Sequence, residues 1–202
     1  MAIYILTLTI PSIFILFDLK IEKIFKKGLM YFFVSYLIIF IGLRFHTGGD
    51  WSSHVFQFYK SQTFDIYKFD FRGDYLYELL NFICSKLFGG IFLVNLILSS
   101  LLVLSVYIYS SLLPQRLMIL LLSFPYIFVV VGMGFIRQGM ALSFILISIY
   151  LLHKKKYFSF YFAIIFAILS HKSSLVILAL NLFFLKNNFF LYILFILTFI
   201  IF

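Results

Sequence analysis

Apolar runs follow one another along almost the whole of this 202-residue chain, and only short polar stretches separate them. A helix crossing a hydrocarbon core of about 30 Å needs roughly 20 such residues. On that scale the sequence predicts spans near 2–17, 29–43, 91–112, 117–133, 135–152, 157–170, 173–185 and 188–202. Several are short, which fits tilted or partly re-entrant segments. Lipid offers the backbone no hydrogen-bond partners, so the expected fold is an all-α polytopic transmembrane bundle of about eight spans. Composition agrees: 11% of residues are charged, against about a quarter in a soluble domain. The 30 phenylalanines exceed what one water-soluble core could bury.

Residues 3–17 are apolar without a charged segment before them or a small-residue cleavage site after them. A retained first span fits better than a removed leader. Repeats, Pro/Gly/Ser linkers and polar low-complexity tracts are absent, so residues 1–202 are read as one integral membrane domain. The chain stops inside an apolar run at Phe202, which fits a short protein, a truncated gene product or a fragment, incomplete at its C-terminus.

The net charge of +9 reads first as topology. Lys20, Lys23, Lys26 and Lys27 follow the first span, Arg116 separates the third and fourth, Lys154–Lys156 separate the fifth and sixth, and Lys186 follows the seventh. With eight spans all four clusters fall on one side, which the positive-inside rule makes cytoplasmic and which leaves the N-terminus extracytoplasmic. The longest polar segment, about 44–90, then lies outside. It balances Arg44, Lys60, Lys68, Arg72 and Lys86 against Asp50, Asp65, Asp70, Asp74 and Glu78. Within it, Leu76, Leu79, Leu80, Ile83 and Leu87 recur at helical spacing, predicting an interfacial helix over 75–88.

Three polar clusters map to that outer face. Arg44–Trp51 follows the second span: Arg44 offers a donor fork for phosphate, Gly48 and Gly49 allow close approach of a ligand, and Asp50 with His46 or His54 supplies acid–base groups. A snorkelling arginine before an ordinary Gly-Gly turn explains the same residues. Arg137 and Gln138 sit between apolar runs, flanked by Gly132, Gly134 and Gly139. An arginine inside a span costs about 2.5–3.5 kcal/mol and normally faces a cavity or partner, unless it marks a hairpin turn. His171 and Lys172 interrupt the apolar stretch 164–178, and Lys172 runs against the positive-inside trend, so an anionic ligand or Asp50 is expected beside it. Serine capping of a plain turn is the simpler account of that segment. The sequence has no metal-binding spacing, no phosphate-binding loop and no dinucleotide fingerprint, so neither metal nor cofactor is expected. The lone Cys84 excludes an internal disulfide.

Taken in order, the clusters resemble the EpsG family. Arg44-x-x-x-Gly48-x-Asp50-Trp51 is similar to its Arg-x-x-x-Gly-x-Asp-aromatic signature, Arg137-Gln138-Gly139-Met140-Ala141 to its Arg-Gln-x-x-Ala segment, and His171-Lys172-Ser173-Ser174-Leu175 to its His-x-Ser-(Ala/Ser)-Leu turn. Trp51 stands where Tyr is usual and His54 where a second Tyr is common, and family members are usually longer. The resemblance implies a Wzy-type, O-antigen-polymerase-like glycosyltransferase of the bacterial inner membrane, acting in exopolysaccharide, capsule or O-antigen synthesis. Its partners would be undecaprenyl-pyrophosphate-linked oligosaccharide, the bilayer, and other assembly proteins such as a flippase or chain-length regulator, with no nucleic acid. Arg44, Gly48, Arg137, Gln138 and Lys172 would then bind the pyrophosphate or glycan, and Asp50 or His171 would be the base. A flippase or exporter of the same lipid-linked sugars, a non-catalytic subunit and a membrane O-acyltransferase are the competing readings.

Overall fold

A computed structural model describes residues 23–63 and 74–177, together with residues 4, 5, 7–9 and 12 of the first apolar segment. Among the described residues the chain is helical throughout, without strands. Helix α1 is Lys23–Gly42, α2 is Trp51–Lys60 and α3 is Tyr75–Ser85. Helix α4 is Gly90–Ser110 and α5 is Arg116–Gly134. Helix α6 is Ile136–His153, and α7, Tyr157–Ser170, ends in a 3-10 turn at Lys172–Leu175.

Three of these helices, α4, α5 and α6, are long and apolar enough to cross a membrane. Lys27–Gly42 and Tyr157–Ser170 are apolar but shorter. Five of the eight expected spans thus correspond to helices, three of them at full length. The expected spans 2–17, 173–185 and 188–202 lie wholly or mainly outside the described residues, and 173–185 opens with the 3-10 turn.

The long helices alternate in direction. Side chains just beyond the end of α1 meet the start of α4 and the end of α5, and the start of α6 is linked to the end of α7 through the residue preceding α3. The opposite ends carry Lys27, Arg116 and Lys154–Lys156. One pole is therefore basic. The other collects the polar residues described below.

Close contact between α1 and α4 depends on small residues, the usual device where lipid supplies no hydrophobic drive between helices. A Cβ on Gly42 would come within 2.7 Å of both Leu96 and Ser99 side-chain atoms, and the Ser99 hydroxyl donates to the Ile38 carbonyl at 3.0 Å. The core beneath is apolar: Leu37 and Ile41 pack with Leu102, Val106, Leu120 and Phe128. A second cluster joins Phe58, Tyr77 and Cys84 to Val94, Leu98, Ile136 and Met140, and so seats α2 and α3 on α4 and α6.

The predicted helix over 75–88 forms as α3, but it is turned differently from a water-solvated amphipathic helix. Tyr77, Asn81 and Cys84 face inward, while Ile83, Leu87 and Phe88 are exposed. That polarity is the one expected where apolar solvent lies outside and polar groups must find partners within.

Helix α5 is not regular. Its middle, Phe124–Val131, is π-helical, and Pro125 stands at the start of that widened turn. Proline cannot donate to the preceding turn, and π-segments recur at functional sites. The chain then breaks at Phe135 (φ −118°, ψ 67°) before α6 begins. Replacing Gly42 by valine should overpack the α1–α4 contact and destabilise the protein by about 1–3 kcal/mol. Thermal unfolding in detergent, compared with wild type, measures it.

Candidate functional site

Two hydrogen-bonded groups occupy the non-basic pole. The first is built on Arg44, just past α1 and only 6% exposed. One guanidinium nitrogen donates to the Gly132 carbonyl at the end of α5, and another to Asn95 Oδ1 on α4 at 3.3 Å. The carbonyl end of a helix is electrically negative, so the cation is well placed there. Burial pulls its pKa down to about 10, with the nearby Tyr77 acting in the opposite sense. Arg44 stays charged at neutral pH.

Asn95 Oδ1 also lies 2.9 Å from His54 Nε2, and His54 Nδ1 is hydrogen-bonded to the Tyr77 hydroxyl. These contacts have one consistent set of proton positions. Arginine can only donate, so the atom facing it must be the amide oxygen. His54 Nε2 must then carry the proton it gives to Asn95, leaving Nδ1 to accept from Tyr77. The Tyr77 oxygen keeps only lone pairs for anything else nearby. Burial, opposed by the Asn95 hydrogen bond and reinforced by the Arg44 charge, lowers the His54 pKa to about 4. Burial raises the Tyr77 pKa to about 12.

The second group centres on Asp74, immediately before α3. One carboxylate oxygen accepts from Arg137 at 2.7 Å and the other from His171 Nδ1 at 3.1 Å. The Asp74 side chain is 11% exposed, Arg137 38% and His171 24%. A carboxylate bound through His171 Nδ1–H fixes the tautomer and leaves Nε2 as a free acceptor. Arg137 likewise keeps guanidinium N–H groups not engaged by Asp74.

The two groups adjoin. A narrow cleft open to solvent is lined by Asp50, Ser53, His54, Gln57, Tyr77, Ile136 and Arg137. A larger cleft of about 230 Å³ lies between Thr47–Gly49 and the end of α5 around Val129, Met133 and Phe135. Gly48 has φ +99°, and a Cβ there would overlap the Met133 carbonyl. Only glycine fits that approach.

The residues expected from sequence are distributed as follows. Arg137 and His171 are brought together, through Asp74. Arg44 is buried with its two terminal guanidinium nitrogens bonded to the protein and Nε without a partner among the described residues, and Gly48 serves backbone packing. Asp50 stands at the N-cap position of α2 without a capping hydrogen bond and faces the smaller cleft. Gln138 is exposed on α6. Lys172 is exposed on the turn after α7, and no ion pair to it, from Asp50 or any other acid, is present among the described residues.

Asp74, Asn95 and Tyr77 were not singled out from the sequence, and His54 was only an alternative to His46. Asn95 carried a readable signal, since a lone carboxamide in the apolar run 90–98 needs a partner. Asp74 carried none that set it apart from the other acids of its segment.

A family model matches the chain over residues 27–202, most of its length. The chain belongs to the EpsG family. Nothing among curated proteins matches it, and no solved structure does. Within this EpsG-family protein the three polar segments noted above lie at a single pole of the bundle.

The His54 pKa gives a pH prediction. Its folded value lies below the ordinary 6.5, so its contribution to stability is present in full above about pH 6.5 and lost as pH falls towards about 4. The loss amounts to on the order of 3 kcal/mol at 1.36 kcal/mol per pH unit. Unfolding temperature in detergent should fall across that window, and a His54→Gln variant should show a flatter profile.

Proposed function

We propose that this protein polymerises lipid-pyrophosphate-linked repeat units during assembly of a cell-surface polysaccharide, at the outer face of the bacterial inner membrane. Membership of the EpsG family supports an exopolysaccharide-related polymerase role. The observation that carries the reading is Asp74 holding Arg137 and His171 side by side at the non-basic pole. The basic pole, with Lys27, Arg116 and Lys154–Lys156, is read as cytoplasmic.

In the reaction, a hydroxyl of the acceptor glycan attacks the anomeric carbon of the donor. The new C–O bond forms as the bond from that carbon to pyrophosphate breaks, and the hydroxyl proton passes to His171 Nε2. Asp74 orients the ring and stabilises the imidazolium, the same division of labour as in a hydrolytic triad. Arg137 meets the charge developing on the departing pyrophosphate, where preorganised donors act most strongly. Lys172, on the turn beside His171, adds positive charge to the same face. Arg44 is assigned to positioning, because it ties α1, α4 and α5 together behind the site.

A flippase or exporter would need polar groups along a path at mid-membrane depth. Residues 117–134 and 138–152 contain no charged side chain, which favours chemistry at one pole over transport through the bundle.

The test is gel analysis of surface polysaccharide in cells lacking the gene and complemented with variants. His171→Ala, Asp74→Asn and Arg137→Ala should each insert normally yet lower long-chain polymer by about 100-fold or more, the scale of a lost general base or charge stabiliser. Single repeat units should accumulate. Full-length polymer from Arg137→Ala or His171→Ala would overturn the assignment.

A further inference from the structure

We propose that Asp50, Ser53 and Gln57, one face of α2, form a subsite that reads the hydroxyl groups of an uncharged sugar ring. The inference rests on the polymerase reading above but adds a part of the site which that reading leaves without a role.

The three residues stand three and four positions apart, so they project from the same side of the helix. Trp51 and Phe58, each one position on from Asp50 and Gln57, are buried and anchor the helix. All three line the smaller cleft together with Tyr77, Ile136 and Arg137. Among the described residues none of their side chains makes a hydrogen bond or ion pair. Several serines of this protein, Ser61, Ser85, Ser100, Ser105, Ser143 and Ser170 among them, turn their hydroxyls back onto a carbonyl of the preceding turn. Ser53 does not. Its hydroxyl, the Gln57 amide and the Asp50 carboxylate are left facing open space beside the proposed reacting groups.

The type of ligand follows from which atoms accept and which donate. Asp50 only accepts. Ser53 and Gln57 do both. An acceptor-only carboxylate disfavours an anion at this wall but suits hydroxyls, which bring their own protons. Phosphate belongs on the Arg137 side and sugar on the α2 side. Asp50 thereby becomes a residue of sugar recognition, and His171 is left as the base.

The protein contains one tryptophan, Trp51, in the first turn of α2 between Asp50 and Ser53. Its fluorescence therefore reports on this face. The full chain in lipid nanodiscs would be titrated with neutral oligosaccharides released by mild acid from the surface polysaccharide of cells that carry the gene. A saturable change in Trp51 emission is expected. Ser53→Ala and Gln57→Ala should each raise the half-saturating concentration by about 2–10-fold, and Asp50→Asn by about 10-fold or more, since hydrogen bonds to charged groups are stronger. Ser52→Ala, one residue away from the cleft, should leave the titration unchanged.

A wild-type protein that shows no saturable response overturns the proposal, as does a response that survives all three cleft substitutions. Failure of the polymerase reading looks different. If deleting the gene leaves polymer length unchanged while the titrations behave as described, the sugar subsite stands and the reaction assigned to it falls. If deletion collapses the polymer but oligosaccharide never perturbs Trp51, the reverse holds.

Discussion

A charged guanidinium cannot be left alone in an apolar bundle, and the way this protein houses Arg44 determines much else. Its partners are the carbonyl at the end of α5 and the amide oxygen of Asn95 on α4. Meeting that need draws the ends of three helices together. Gly48 must come down onto the Met133 carbonyl, and α5 must finish where it does, after a π-helical stretch. Removing one partner of a buried charge typically costs about 3–5 kcal/mol, so the arrangement is not easily exchanged for another. Because arginine only donates, the same contact fixes the orientation of Asn95, then of His54, then of Tyr77. The direction of a four-residue hydrogen-bond chain is set by its one permanent cation.

In front of this scaffold, Asp74 performs the equivalent task for α6 and α7. It neutralises Arg137 and orients His171 with its two oxygens, and it enters from the segment that precedes α3. The buried group supplies rigidity, and the half-exposed group supplies donors and an acceptor that solvent or substrate can reach. The proposed polymerase reaction would need both, since its reacting groups must be held still while two large glycans come and go.

Much of this was legible in the sequence, for physical reasons that can be named. Hydrophobic length marked out α4, α5 and α6 to within a few residues, because a membrane span admits few polar interruptions. Charge placement separated the basic pole from the other. Arg137 and His171 stood out because each interrupts an apolar run. Their meeting point did not, since five acids lie between 44 and 90 and only packing selects Asp74. Arg44 was visible as an outlier, yet sequence could not say whether its donors face a ligand or a carbonyl. For α3 the helical period was plain, but which face turned inward depended on the solvent outside.

The central claim is spatial: the segment before α3 brings Asp74 to the junction of α6 and α7. It can be tested in native membranes with a protein carrying Cys84→Ala, Asp74→Cys and His171→Cys, treated with a short bifunctional thiol reagent. The account predicts efficient intramolecular cross-linking, seen as two fragments held together after cleavage between the sites. A Lys155→Cys partner at the opposite pole should give none. Absence of the 74–171 cross-link, with both cysteines shown to be reactive, would contradict the account.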